Sequence, residues 1–565
     1  MSFPVKRSRE QTLSLSDGKP ASVAELEEFI SKQESPIQQA WKKLKEQLTA
    51  PSPLREFLEK LAAQGVEIYL VGGAVRDTFL GRASTDLDFV LRFPNLSGGL
   101  PAVEEFFARL TPSSPQISSA ETAVSPRAQV SARFPTGVLI RLSAHFPVYQ
   151  FRDSQGQTYD FALPREERKT KGNQGDRADF EITPNPQLPI ERDLSRRDFT
   201  INACALRLQL SAEEIQLELI DPYGGLKDLQ ERTLRAVGDP NARLQEDWSR
   251  IMRALRLAAQ LELELDPALK EAIIRLAPQI NTRDPQKGNY ILPREMIGKE
   301  LTKGYLKNPL LFLRLAHETA VWPNLITPFL DSAEERTALF QQSSLILQEW
   351  EKRQDPSPDP APILASIFLG TGAATAPAAQ QKRAQVLWQR AKETLFNRTH
   401  LTPRQKETVK KVMQRIEVLL RAYPTAVAAL SKPLQSPLSY GKMVAILATG
   451  YWDDFLTILK VLAATNPHLA IQEENIELGN LYRHRARGIK KLAQLYIKST
   501  DLEKNCPDLY KERRKRSICL QQGRTFFAGR ILQELEKGLS FEQINYSQLA
   551  RETWNFLRQN ISRRG

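Results

Sequence analysis

Cysteine is scarce in this chain. Only Cys204, Cys506 and Cys519 occur among 565 residues. They are too few and too scattered for a disulfide framework or a zinc site, and a reducing, cytoplasmic setting is expected. Long apolar runs are also missing. The most hydrophobic window, MVAILATGYWDDFLTILKVLAA, is broken by Asp453, Asp454 and Lys460, so no membrane span is expected. The amino terminus lacks a signal-peptide apolar core, and Glu10 and Asp17 argue against a transit peptide. No internal repeat is visible.

What is present describes an ordinary globular protein with a basic excess. Hydrophobic residues make up 41% and charged residues 26%, and a chain of this length exceeds a single core. Lys and Arg number 79 against 66 Asp and Glu, a net charge of +13. That balance favours a polyanionic partner.

Strand-like runs are confined to one region, about 54–235: EIYLV, LDFVLRF, GVLIRLSAH, PVYQFRD, TYDFAL and INACALRLQL. The Ser/Pro/Ala-rich segment 111–128 interrupts them and reads as a mobile loop. After about 236 helical spacing dominates, as in DWSRIMRALRLAAQLEL and RQKETVKKVMQRIEVLL. Residues 1–53 read as a polar, partly helical extension.

The densest chemistry lies in VGGAVRDTFLGRASTDLDFV, Val71 to Val90. EIYLV reads as a strand, Gly72-Gly73 as a tight turn, and AVRDTFL as a short helix ended by Gly81. Glycines in such a turn let main-chain N–H groups approach an anion. Read as one strand, TDLDFVLRF puts Asp86 and Asp88 on a shared face, with Leu87, Phe89 and Leu91 opposite. Two carboxylates so close repel unless a cation sits between them. Mg²⁺, a hard ion that takes carboxylate and phosphate oxygens, is the expected one.

GGAVRD with DLD, then RRDFTINA (Arg196 to Ala203), DPYGGLKDL (Asp221 to Leu229) and EDWSRIMRALRLAAQL (Glu246 to Leu261) form an ordered series. The series resembles the polymerase-β-like nucleotidyltransferases, specifically the class II branch of tRNA CCA-adding enzymes and bacterial poly(A) polymerases. The likeness covers roughly residues 60–265 and continues weakly to about 335. It implies an α+β fold with a mixed-sheet catalytic head (54–235), followed by an all-α neck (236–335), body (336–430) and RNA-binding tail (431–565).

The implied reaction is attack of an RNA 3′-hydroxyl on the α-phosphate of a nucleoside triphosphate. Asp86 and Asp88 are then the metal ligands, with Asp160 of TYDFAL as candidate third carboxylate. Gly72, Gly73, Arg76 and Arg197 would meet the triphosphate, and Asp198 the ribose. Asp221 with Gly224-Gly225 resembles a hinge, and an ordinary turn would look the same.

Helical spacing in the fourth motif puts Leu244, Trp248, Ile251, Leu255 and Ala258 on a core face. Asp247, Arg250, Arg253 and Arg256, the nucleotide-binding candidates of this motif, step around the other side, so Asp247 and Arg250 are expected to be neighbours. A carboxylate only accepts hydrogen bonds and a guanidinium only donates. Cytosine and adenine both offer an amino donor beside a ring acceptor, whereas uracil and guanine put a carbonyl oxygen against the carboxylate. The pair can therefore admit CTP and ATP and reject the others without a template.

Basic segments 397–411, 483–491 and 510–516 are candidates for tRNA contact. Poly(A) polymerases of this class usually carry a G-R-R-F-type motif after the catalytic aspartates. The corresponding FPTGVLIRLSAHFPVYQFRD has none, which favours CCA addition. Poly(A) addition, partial CC- or A-addition, and an inactive RNA-binding relative remain the alternatives. None of the five histidines precedes an Asp, so the His-Asp phosphohydrolase of some relatives is not expected. No stable protein partner is expected.

Overall fold

In the computed structural model, residues 21–110, 129–142, 148–169, 175, 180–211, 214–353, 359–370, 376–396, 401–466, 469–498 and 513–561 are described. The expected loop 111–128 and the first twenty residues lie outside them. The chain forms two compact units, Met1–Leu292 and Pro293–Gly565. The division falls inside the segment 236–335 read as a neck.

The first unit is built on an eight-stranded sheet of β1 (Glu67–Val71), β2 (Asp88–Arg92), β3 (Gln129–Phe134), β4 (Gly137–Arg141), β5 (Val148–Asp153), β6 (Thr158–Ala162), β9 (Ala205–Leu210) and β10 (Ile215–Ile220). Their order is β10-β9-β1-β2-β6-β5-β4-β3. All pairs are antiparallel except β2 with β6, so the sheet is mixed, as expected of an α+β head. A separate hairpin joins β7 (Arg165–Lys169) to β8 (Phe180–Pro184). INACALRLQL does not run as one strand. Thr200–Asn202 form a 3₁₀ turn and the strand starts at Ala205.

Alternation along the strands gives the sheet two apolar faces. On one, Phe57 from α3 (Pro53–Ala63) stacks on Phe151 at 4.4 Å and meets Phe161 edge-on at 5.2 Å. Phe107 of α5 (Gly99–Arg109) packs on Tyr149 of β5. On the other, Tyr69, Val71, Val90 and Ala205 bury against Ile190 and Leu194 of α6 (Ile190–Ser195). Asp88 and Asp160 alternate onto this second face, two residues before Val90 and Ala162.

Residues 21–53, within the partly helical extension expected at the amino terminus, belong to this unit. Here α1 (Val23–Ser31) packs on β10, and Ala21 donates its N–H to Leu219 O at 2.9 Å. Pro36 of α2 (Ser35–Thr49) lies against Gly81, after α4 (Gly73–Phe79). Among the described residues, every named element of the second unit is a helix, Pro403–Leu430 the longest.

Candidate active site

The site forms where β1 hands over to α4. Gly72 takes φ +73°, a conformation costly for any residue with a side chain. A Cβ there would lie 3.3 Å from Arg197 Nη1 and 4.0 Å from Asp88 Oδ2. The turn glycine, the first carboxylate of β2 and the arginine after α6 therefore occupy one place. Register sets Asp88 beside Val71 on one side and Asp160 on the other.

Asp86 corrects the strand reading. β2 begins at Asp88, and Asp86 lies in the exposed approach, its N–H bonded to Ser84 Oγ at 3.2 Å. The carboxylates still act on each other. The Asp88 carboxyl is pushed up to about 6, first by loss of water, then by Asp86 and Asp160, against the pull of Arg197. Asp88 keeps solvent-exposed surface, so the crowding of its oxygens matters more than residue area.

Asp160 accepts a hydrogen bond from Gln150 Nε2 at 3.0 Å. Among the described residues no three His, Cys, Asp or Glu side chains are arranged to hold a metal, so Asp160 does not complete a ready triad. The residues nevertheless fit magnesium. This ion keeps several waters and takes one or two carboxylates plus substrate phosphates, and the raised Asp88 marks negative charge that a cation would relieve.

Arg197 is the phosphate candidate best supported by its surroundings. Burial pushes its guanidinium down, and its buried Nε has no hydrogen-bond partner. Its Nη1 donates to Asn202 O at 3.3 Å, and Nη2 lies 3.8 Å from Asp193. Arg196 is engaged elsewhere, with Asp193 at 2.7 Å and Glu167 at 3.0 Å. Of the adjacent arginines, one supports the fold and the other faces the turn.

Arg76 and Asp198 are linked through a residue that the motif reading passed over. Arg76 Nη1 donates to Asn202 Oδ1 at 2.8 Å, and Asn202 Nδ2 donates to Asp198 Oδ1 at 3.2 Å. Asp198 also accepts the Phe199 N–H at 2.9 Å and pairs with Arg253. Burial opposes charge on Asp198, but Arg253, Asn202, Phe199 N–H and Arg250 outweigh it and hold the carboxyl below its usual range. The available signal was a polar amide between apolar Ile201 and Ala203.

The fourth motif is two helices, not one. α8 (Pro240–Glu246) stops before Asp247, which is extended at φ −152°, ψ 105°, and α9 (Ser249–Leu261) begins two residues later. Leu244, Trp248, Ile251, Leu255 and Ala258 are all buried, so the apolar pattern survives the break. Buried Asp247 accepts the Ser249 N–H at 2.8 Å. Arg250 turns to Glu246 and to Arg243 O, the latter at 2.8 Å. Asp247 and Arg250 thus flank the junction, each fixed by another group. Arg253 reaches Asp198, while Arg256 donates to Gln260 at 2.8 Å.

Asp221 is a cap. Its carboxylate accepts N–H from Gly225 at 2.7 Å and Leu226 at 2.8 Å, at the start of α7 (Gly225–Gln230). Burial raises its pKa against those bonds. The carboxylate thereby ties the Gly224-Gly225 turn to the start of α7.

Residues 68–235 match the family described as Poly A polymerase head domain. A CCA-adding enzyme of Streptococcus suis is 32% identical over 231 residues, 40% of this chain and 46% of that protein. A Multifunctional CCA protein of Paracidovorax citrulli is 35% identical over 196 residues, 34% of this chain and 35% of that one. The chain therefore spans less than half the length of either relative. The solved CCA-adding enzyme of Bacillus stearothermophilus in complex with CTP superposes with TM-score 0.46 at 19% identity, covering 90% of this chain and 99% of that one. Residues 68–235 thus carry a head domain of the Poly A polymerase type, and the chain is similar to CCA-adding enzymes over about 200 residues.

Proposed function

We propose that this protein adds C and A nucleotides to the 3′ end of tRNA without a template, using CTP and ATP and releasing pyrophosphate. The meeting of Gly72, Asp88 and Arg197 at the end of β1 carries the reading. It sets a turn that main chain can share with a phosphate beside a carboxylate that needs a cation and an arginine with a donor to spare.

In the reaction, the RNA 3′-oxygen forms a bond to the α-phosphorus and the bond to the β-phosphate oxygen breaks. Asp86 and Asp88 would hold Mg²⁺, which when bound supplies charge neutralisation at the phosphates. Arg197 and Arg76 bind and orient the triphosphate, and a buried guanidinium gains more from a phosphate than an exposed one does. Asp198, kept ionised by Arg253 and Asn202, accepts from a ribose hydroxyl. Asp247 accepts from the amino group of cytosine or adenine, and Arg250 donates to the ring nitrogen beside it.

The helical unit supplies cations for RNA. Arg485, Arg487, Lys490 and Lys491 are exposed along the helix Ala486–Tyr496 and the turn before it, and Arg404, Lys406, Lys410 and Lys411 are exposed at the start of Pro403–Leu430. Residues 397–400 and 510–512 of the other basic segments lie outside the described residues, as do the side chains of 513–516.

The test is incubation with tRNA lacking its terminal CCA, plus CTP alone, ATP alone, or both. Addition of CC with CTP and completion to CCA with both supports the proposal. A lengthening A tail with ATP alone would make the chain a poly(A) polymerase, and addition that stops at CC or adds only a final A would make it a partial enzyme. No incorporation with any nucleotide would leave an RNA-binding relative.

A further inference from the structure

We infer that Gly175, which lies between β7 and β8, is a positioning residue for nucleotide choice, holding the α8–α9 junction open so that Asp247 stays extended. The inference rests on the base-reading role proposed for Asp247.

The hydrogen-bond accounting at the junction carries it. Were α8 and α9 one helix, Trp248 N–H would donate to Leu244 O and Ser249 N–H to Gln245 O. Both bonds are replaced. Gly175 donates its N–H to Gln245 O at 2.9 Å, and Trp248 donates its N–H to Gly175 O at 3.2 Å. Ser249 N–H goes to Asp247 Oδ1 at 2.8 Å. The main chain of one residue thus satisfies an acceptor and a donor that the break frees, and the Asp247 carboxylate satisfies the third group. Without Gly175, the cheapest way to pair these groups is to continue the helix through 247. That would swing Asp247 away and surrender its bond to Ser249.

Only glycine fits this place. Gly175 adopts φ +82°, and a Cβ there would come within 2.0 Å of Trp248 Cδ2 and 2.2 Å of Cε2. The indole is 3% exposed, so it cannot swing into solvent to make room. A residue remote in sequence from both helices is thereby coupled to the geometry of the carboxylate that reads the base.

The test measures kcat/KM for CTP, ATP, UTP and GTP on one tRNA primer with full-length Gly175→Ala and Asp247→Ala. Gly175→Ala is expected to lower the ratio of correct to incorrect nucleotides by about 5- to 150-fold, the range of one good base contact, with KM for tRNA unchanged. Altered ratios in Asp247→Ala but wild-type ratios in Gly175→Ala would overturn the positioning role and leave base reading standing. Unchanged ratios in both would overturn base reading itself. Should Gly175→Ala fail to fold, hydrogen exchange of the wild-type protein decides. Slow exchange at Trp248 and Ser249 amides, slowed further by CTP, is expected; exchange as fast as an exposed amide would overturn the inference.

Discussion

Arg76 and Asn202 are 126 residues apart in sequence and joined by a 2.8 Å hydrogen bond, while the same amide donates to Asp198. One buried side chain thus ties the proposed phosphate-binding arginine to the proposed ribose-binding carboxylate. Asn202→Ala removes one hydrogen bond from each charged partner, leaving Arg76 with Asp77 and Asp198 with Phe199 N–H and Arg253, a loss of about 1–3 kcal/mol. The expected result is a fall of about 5- to 150-fold in kcat/KM for CTP and ATP, with KM for tRNA unmoved. Asn202→Asp restores the acceptor for Arg76 but sets a carboxylate against Asp198, so it should not rescue. If Asn202→Asp recovered wild-type kinetics, the bridging role would be wrong.

In its proposed role as a metal ligand, Asp88 would trade stability for function. Its folded-state pKa, about 6, lies above the ordinary value of 3.8, so the folded protein holds the proton more tightly than the unfolded chain. Ionised Asp88 therefore costs stability above that range, and the cost vanishes as pH falls below the ordinary value. Asp88→Asn should abolish nucleotide addition yet raise Tm in metal-free buffer at neutral pH. That gain should shrink on acidification through about pH 6. Scanning calorimetry across pH checks the sign; a Tm lowered at neutral pH would contradict the crowding of Asp86, Asp88 and Asp160.

Much of this site was legible because its motifs are local. The strand, glycine turn and short helix around Gly72 follow from residue type alone, and alternation placed Asp88 and Asp160 out of phase with Phe89 and Phe161. What escaped the sequence depends on distant partners. The helical spacing of Leu244, Trp248 and Ile251 gave no sign of a break at Asp247, because the buried face stays continuous across it while the break is stabilised by Gly175. Asn202 looked like one more letter of a motif, since its partners, Arg76 and Asp198, meet only once the sheet has formed. The strand expected from TDLDFVLRF starts at Thr85, three residues before β2, because Asp86 continues the alternation without a strand partner.

RNA affinity should fall steeply with salt. Replacing Arg485, Arg487, Lys490 and Lys491 together by Gln removes exposed cations from one short stretch. For every phosphate that these side chains no longer neutralise, the slope of log affinity against log salt should become shallower by about 0.7–0.9. Fluorescence anisotropy with labelled tRNA measures it. An unchanged slope would remove this stretch from the RNA surface.

The proposed base-reading pair, Asp247 and Arg250, yields the most specific expectation. Asp247 also accepts the Ser249 N–H at 2.8 Å, a capping bond at the start of α9 typically worth about 1 kcal/mol. Asp247→Ala therefore removes a cap along with the base acceptor, and a loss of rate alone would be ambiguous. Asp247→Asn keeps an oxygen for the cap while its amide can donate to a carbonyl oxygen. It should accept UTP or GTP better than the wild type, with Tm near wild type. Arg250→Ala should lose rate with CTP and ATP alike, since its donor meets a ring acceptor in both. The change in discrimination expected from one such interaction is about 1–3 kcal/mol, roughly 5- to 150-fold. The measurement is kcat/KM for all four nucleotides on one tRNA primer, beside thermal melts of each variant. If Asp247→Asn left the four ratios as they are, the carboxylate would be only a helix cap, and base choice would have to come from elsewhere in the site.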